Sequence, residues 1–255
     1  MVNLGGVLLI DADYFGRHNC LIVYRDYPSG INVFYRWAQG EFKDEILADL
    51  CFLVGNGYPL RGVVSDWKRA LVSAVQIVSQ KYACKLNLKQ PLPHQRCLVH
   101  VQLSCQSWLT KKPKTEAGQN LLQLVHLLNE VKSYYEENIL RLWLKRFKRQ
   151  YGDFVQEKTY SQDKHGKKTW WYTHKYLRRA FILLKRNWDS LFVYLDYHWL
   201  SKDSNGLEGF FSQLDGSVNR HRGLKRERLP HFLYWYLFLK QFPYVKLQDI
   251  RNDRL

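Results

Sequence analysis

The sequence predicts an α/β protein: a mixed five-stranded sheet flanked by helices, with a large all-helical insertion placed between the fifth strand and the final helices. Two observations carry this. The first hundred residues alternate β-rich runs with helical periodicity, whereas beyond about residue 105 only the helical period continues. The 255 residues, 46% hydrophobic, suffice for one large core or two small ones.

The elements follow in order. Residues 7–10 (VLLI) form an unbroken apolar run that suits a strand covered on both faces. Residues 20–24 and 31–37 are two further β-rich runs, separated by the turn letters Tyr27-Pro28-Ser29-Gly30, so the first three strands form an antiparallel meander. Residues 42–54 carry apolar side chains at helical spacing and stop at Gly55-Asn56-Gly57. Residues 60–65 read as a fourth strand running into Asp66, residues 67–82 as a helix, and residues 95–103 as a fifth strand. Residues 121–151 and 172–195 are amphipathic helical stretches with a polar loop at 156–168 between them. Residues 207–214 and 229–242 close the chain as helices. This gives a sheet domain in residues 1–104, an insertion in 105–200, helices completing the sheet domain in 201–245, and a tail in 246–255.

The net charge is +16, from 39 Lys and Arg against 23 Asp and Glu. Such a surface favours a polyanion, because neutralising phosphates releases counterions, so nucleic acid is the expected partner. The N-terminus lacks the basic segment of a signal peptide. The longest aromatic-aliphatic run, residues 232–239, falls well short of the ~20 residues of a membrane span, so a cytoplasmic protein is expected. Five cysteines at irregular spacing make no disulfide framework and are expected to be reduced.

The chemistry begins at VLLIDADYF, where a buried run delivers Asp11 and Asp13. Burying an unpaired carboxylate is costly, so something must compensate the charge. Three strands, a helix, a strand ending in an acid, a helix and a further strand is the order of an RNase H-like fold. That fold sets catalytic carboxylates at the tip of the first strand and just after the fourth, here Asp11 and Asp66. Magnesium takes hard oxygen ligands, and two ions about 3.5 to 4 Å apart serve an in-line phosphoryl displacement. Asp13 shares a strand face with Asp11, so geometry alone leaves either as the ligand. Asp66 can equally be a helix N-cap.

The ordered set Asp11-Ala12-Asp13-Tyr14-Phe15-Gly16, Asp66, Cys97-x-x-His100, Ser204-Asn205-Gly206-Leu207-Glu208-Gly209-Phe210 and Arg220-His221-Arg222-Gly223 resembles the catalytic domain of mutator-like insertion-sequence transposases. The resemblance runs from Val7 to about Phe242. It implies an Asp-Asp-Glu triad of Asp11, Asp66 and Glu208 on an RNase H-like fold, two Mg²⁺ or Mn²⁺ ions, and cleavage and strand transfer at element ends. It also implies double-stranded DNA and a second copy of the chain as partners, in a bacterial or archaeal cytoplasm at the nucleoid. Asp13 becomes a neighbour of the ligand, and Cys97 and His100 match a pair that follows the second acid in the family. Two departures stand out: Ala12 replaces the usual Gly, and no amino-terminal DNA-binding region of the family's kind precedes the first strand.

Other readings stay open at this level. Asn205 and Glu208 have the spacing of a capping box. Cys97 and His100 can be half of a zinc site, with Cys84 or Cys105 near, or a structural contact beside the fifth strand. Trp170 and Trp171, beside Lys167, Lys168 and His174, either stack on nucleic-acid bases or close the insertion's core, the latter being the expectation. Arg220, Arg222, Lys225, Arg226 and Arg228 follow the Glu208 helix and are expected to hold DNA phosphates near the scissile bond. A purely hydrolytic nuclease, or a truncated or decayed transposase that binds DNA without transposing, are the functional alternatives.

Overall fold

The computed structural model describes residues 4–162, 167–221 and 223–241, so Arg222 and the tail at 246–255 lie outside the described residues. The chain is mixed α/β. Its strands and helices run β1 (Val7–Tyr14), β2 (Cys20–Asp26), β3 (Asn32–Ala38), α1 (Lys43–Gly55), β4 (Gly62–Ser65), α2 (Arg69–Lys81), β5 (His94–Arg96) and α3 (Leu98–Leu109). They continue with α4 (Glu116–Leu127), α5 (Tyr134–Gln156), β6 (Lys158–Gln162), β7 (Lys168–Tyr172), α6 (Lys175–Leu191), α7 (Asn205–Arg220) and α8 (Leu229–Gln241). The five-stranded sheet has the order β3-β2-β1-β4-β5. β1–β2 and β2–β3 pair antiparallel, and β1–β4 pair parallel. The chain divides into two compact units, one of residues 1–93 and 204–255 and one of residues 94–203.

In the first unit, strand alternation sends Leu8 and Ile10 of β1 and Val63 of β4 to one face, where they form a core with Ile46 and Leu50 of α1 and Leu71, Val75 and Val78 of α2. Each such fully buried aliphatic side chain contributes about 1.5 to 3 kcal/mol. Val7, Leu9, Asp11 and Asp13 point to the opposite face.

Asp26, fully buried at the end of β2, ties this unit together. Its Oδ1 accepts from the Gly6 N–H at 2.9 Å and the Tyr58 hydroxyl at 2.6 Å. Its Oδ2 accepts from the Gly5 and Ser29 N–H groups, both at 3.1 Å, and from Ser29 Oγ at 2.7 Å. Gly6 carries the connection onward. The Arg61 N–H donates to its carbonyl at 2.8 Å, just ahead of β4. A Cβ at residue 6 would stand 2.0 Å from the Pro59 carbonyl oxygen, and φ there is +80°, so only glycine fits.

The second unit buries Leu98, Val101, Cys105 and Leu109 of α3 with Leu121 and Val125 of α4, Phe147 of α5 and Phe181, Leu184 and Trp188 of α6. Gln95 pins its start, donating from Nε2 to the Leu191 carbonyl at 2.8 Å and accepting at Oε1 from the Tyr194 N–H at 3.1 Å.

Three expectations are corrected here. The fifth strand is three residues long, and the apolar residues after it belong to α3, because Leu98, Val101, Cys105 and Leu109 recur at helical spacing. The stretch expected as one helix over 121–151 breaks into α4 and α5. A capping box starts α5, with the Ser133 side chain accepting from the Glu136 N–H and the Glu136 carboxylate reaching back to Ser133. The polar loop at 156–168 contains β6 and leads into β7, an antiparallel ribbon, so this region is not purely helical. Among the described residues no helix is long and apolar enough to cross a membrane, and the five cysteines are free, Cys20, Cys97 and Cys105 buried.

Asp26→Ala is expected to destabilise the first unit by roughly 3 kcal/mol at pH 7, since it orphans buried donors. Burial alone raises the Asp26 pKa, but the Tyr58 and Ser29 hydrogen bonds outweigh it and hold the carboxyl below its ordinary value. Its contribution is therefore present above about pH 4, the ordinary carboxylate range, and is lost as pH falls through the lowered pKa. Urea unfolding of wild type and variant at pH 7 and at progressively lower pH should show the gap closing.

Candidate active site

β1 and β4 run parallel with Leu9 opposite Val64 and Ile10 opposite Ser65. The next step of the same register sets Asp11 opposite Asp66, on strands roughly 4.8 Å apart. Asp66 is the residue directly after β4, and Asp11 lies inside β1, which runs on to Tyr14, so Asp11 is not at the strand's tip as expected. Asp11 is 8% exposed, and its Oδ1 accepts from the Ala12 N–H at 2.9 Å.

The turn that carries Asp66 is strained and tightly held. Trp67 has φ +69°, a left-handed conformation that costs a bulky residue of order 1 to 3 kcal/mol. Ser65 Oγ accepts from the Trp67 N–H at 3.2 Å and Asp66 Oδ1 from the Lys68 N–H at 3.1 Å, so two side chains fix the turn. The N-cap position of α2 is Lys68, not Asp66; the acid closes an Asx turn instead. Lys68 Nζ stands 3.1 Å from Asp66 Oδ2 and also pairs with Glu41, which accepts from the Tyr14 hydroxyl at 2.7 Å. Burial alone would lower the Lys68 pKa; the Asp66 and Glu41 carboxylates overcome that and raise it. Glu41 and Lys68 were invisible as site residues in the sequence, since nothing local marks them.

Asp13 lies on the same face as Asp11. Its Oδ2 is buried with no hydrogen-bond partner. Burial, and then the charge of Asp215, push its carboxyl up to about 6. Asp215 belongs to α7, seven residues after Glu208 and therefore on the same side of that helix. Helical spacing from Glu208 was the one signal that could have singled it out. Position 206 of α7 lies against Leu9, where a Cβ would meet Cδ1 at 3.4 Å, while Asp215 reaches Asp13, so α7 runs along β1 in the same direction. Arg25 supports the start of α7, its guanidinium 5.8 Å from the Phe210 ring centre, and is anchored to Asn32 Oδ1 by a 2.9 Å bond.

Glu208 sits in the first turn of α7, one Oε1 buried and without a hydrogen-bond partner. The capping-box reading does not hold: Ser204 occupies the N-cap position, and Asn205 is the first helical residue. α7 extends to Arg220, well past residue 214. Arg220, Lys225 and Arg228 therefore begin about 18 Å along the helix from Glu208 and closer to Asp215. That correction comes from helix length alone. Arg226 opens a short 3₁₀ turn with Arg228.

In the second unit, Cys97 is the buried N-cap residue of α3 and His100 lies one turn in, so the pair starts a helix and is not part of a strand. Cys105 is two turns further along α3, in the core, and Cys84 is exposed. Trp170 and Trp171 are 51% and 48% exposed on β7, so they do not close a core as expected. Strand alternation places them on opposite faces of the ribbon. His174 is the N-cap residue of α6 and stacks on Phe154 at 3.7 Å, and Lys168 begins β7.

Asp215→Asn removes the like charge beside Asp13 and is expected to lower the Asp13 midpoint from about 6, read by carbon-detected NMR titration without divalent cations. An unmoved midpoint would leave burial as the only cause. Comparison of the chain with protein-family models, with curated proteins and with solved structures gave no match.

Proposed function

We propose that this chain is the catalytic domain of a DNA transposase of the mutator-like insertion-sequence kind, with an RNase H-like core and an Asp11, Asp66, Glu208 triad. The observation that carries the reading is the parallel register of β1 and β4, which pairs Ile10 with Ser65, the residues immediately before Asp11 and Asp66. The strand order β3-β2-β1-β4-β5 with β2 antiparallel supports it further. So does α7, whose first turn bears Glu208 and lies on the face of the sheet to which Asp11 points.

The donor set suits a hard divalent cation: carboxylate oxygens only, with Oε1 of Glu208 buried and unpartnered. Asp11, Asp66 and Glu208 would hold two Mg²⁺ or Mn²⁺ ions, which supply Lewis-acid stabilisation and an activated oxygen nucleophile when bound. The chain's own residues do the rest. The strained Trp67 turn fixes the Asp66 carboxylate, and Lys68 pairs with it. Arg25 and Phe210 fix the start of the Glu208 helix. Burial and the charge of Asp215 push the Asp13 carboxyl up to about 6, so Asp13 carries its charge only above mildly acid pH. Arg220, Lys225 and Arg228 hold backbone phosphates of duplex DNA, as do Arg222 and Arg226 by their place in the sequence. A second copy of the chain would bring two element ends together, in a bacterial or archaeal cytoplasm.

The test uses the purified full chain, a duplex carrying the repeats that flank its gene, and Mg²⁺ or Mn²⁺. Strand cleavage followed by joining of the freed 3′ end to target DNA is expected. Asp11→Asn, Asp66→Asn and Glu208→Gln should each lower cleavage about a thousandfold, while Asp13→Asn keeps it within about tenfold. Full cleavage by any triad variant would refute that assignment, and cleavage with no joined product would make the chain a hydrolytic nuclease.

A further inference from the structure

The second unit carries an exposed aromatic and cationic surface that the triad does not use. In the β6–β7 ribbon, Lys158 lies opposite Tyr172 and Tyr160 opposite Trp170, so these four side chains share one face. Tyr160 is 72% exposed and Trp170 about half. Large aromatics on a two-stranded ribbon usually bury themselves against a neighbour, and these remain in water. A cation attends Trp170 and another attends Tyr172. Lys158 Nζ sits 4.1 Å from the Trp170 ring centre, and the Arg178 guanidinium 3.8 Å from that of Tyr172, whose hydroxyl accepts from Arg178 at 3.2 Å. The Trp170 and Tyr172 rings meet edge to face at 5.4 Å, which holds both in place.

Arg178 joins this face to a second feature. It lines a groove of about 350 Å³ between α5 and α6, together with Lys148, Lys185 and Arg186. The ribbon face and the groove are thus one path within the unit, aromatic at one end and cationic at the other. Its length, from Lys168 to Tyr172 along the strand and from Arg178 to Arg186 along the helix, is roughly 25 Å, enough for about four nucleotides.

We propose that this path binds unpaired DNA, with bases stacking on Tyr160 and Trp170 and phosphates following Arg178, Lys185 and Lys148. Duplex DNA buries its base faces in its own stack and offers the rings nothing; a single strand offers both π faces and phosphates. The cations around the rings match a polyanion and would repel a basic partner. That the strand is DNA rests on the reading of the first unit; the binding surface does not.

The experiment is fluorescence-anisotropy binding of the full chain, in chelator and over a salt series, to a labelled oligothymidylate of about 15 nucleotides, its duplex with oligoadenylate, and oligouridylate. Oligothymidylate should bind more tightly than oligouridylate, and duplex binding, which the first unit supplies, should not depend on the ribbon's aromatic side chains. Tyr160→Ala and Trp170→Ala should each weaken it about tenfold with the salt slope unchanged, since stacking releases no counterions. Lys185→Gln should weaken it and reduce the slope by about 0.7. Tyr160, the most exposed of the residues named, guards against a folding artefact, checked by thermal melting. An equal loss of duplex binding in the aromatic variants, unchanged single-strand affinity in both, or tighter binding of oligouridylate would each overturn the proposal. Asp66→Asn should abolish cleavage yet leave oligothymidylate binding intact, so failure of the triad and failure of this surface give different results.

Discussion

Everything at the acidic site depends on the parallel register between β1 and β4. A slip of one residue would set Asp11 level with Ser65 or Trp67 and turn every β4 side chain to the other face, because side chains alternate with period two. The register is set at the far end of the strands. Asp26 gathers Gly5, Gly6, Ser29 and Tyr58, and Gly6 in turn accepts from Arg61 at the entrance to β4. A buried carboxylate with five donors is thus the device that aligns two other carboxylates some residues away.

The same unit shows how one sheet face can hold many acids. Asp26 is matched by hydrogen bonds, Asp49 by Arg36 and the Tyr24 hydroxyl, and Asp66 by Lys68. Asp13 and Asp215 have no cation of this kind between them, and burial with mutual repulsion raises the Asp13 pKa instead. These are different answers to one cost, the loss of hydration around a charge. A partner fixes an acid's position, whereas an acid without one has its proton equilibrium set by its surroundings.

The second unit follows another logic. Its four helices bury an apolar core, with Glu137 at its edge held by Arg141 and the Trp188 indole N–H. The helical scaffold leaves the ribbon to present aromatic side chains outward. Stability resides in the helix core, and the exposed aromatic side chains of the ribbon contribute little to it.

The sequence by itself determined the period of most elements, hence the α/β class, the three-stranded meander and the place of Asp66 directly after β4, whereas β1 runs past Asp11 to Tyr14. These are local properties: apolar alternation, turn residues, and an acid directly after a β-rich run. The break before α5 was legible too, in the Ser133 and Glu136 spacing. The short fifth strand misled because Leu98 to Leu103 mixes β-branched and helix-compatible residues, and burial against α4 and α6 decided for helix. The ribbon escaped notice because its strands alternate polar and aromatic residues with no apolar face to bury. What only the tertiary structure decided is the pairing of distant side chains: Asp215 with Asp13, Glu41 with Lys68, and Asp26 with Gly5, Gly6 and Tyr58. Charge compensation acts through space over a few ångströms, and residues that meet there are separated by tens to hundreds of positions in the chain, so no local pattern records it.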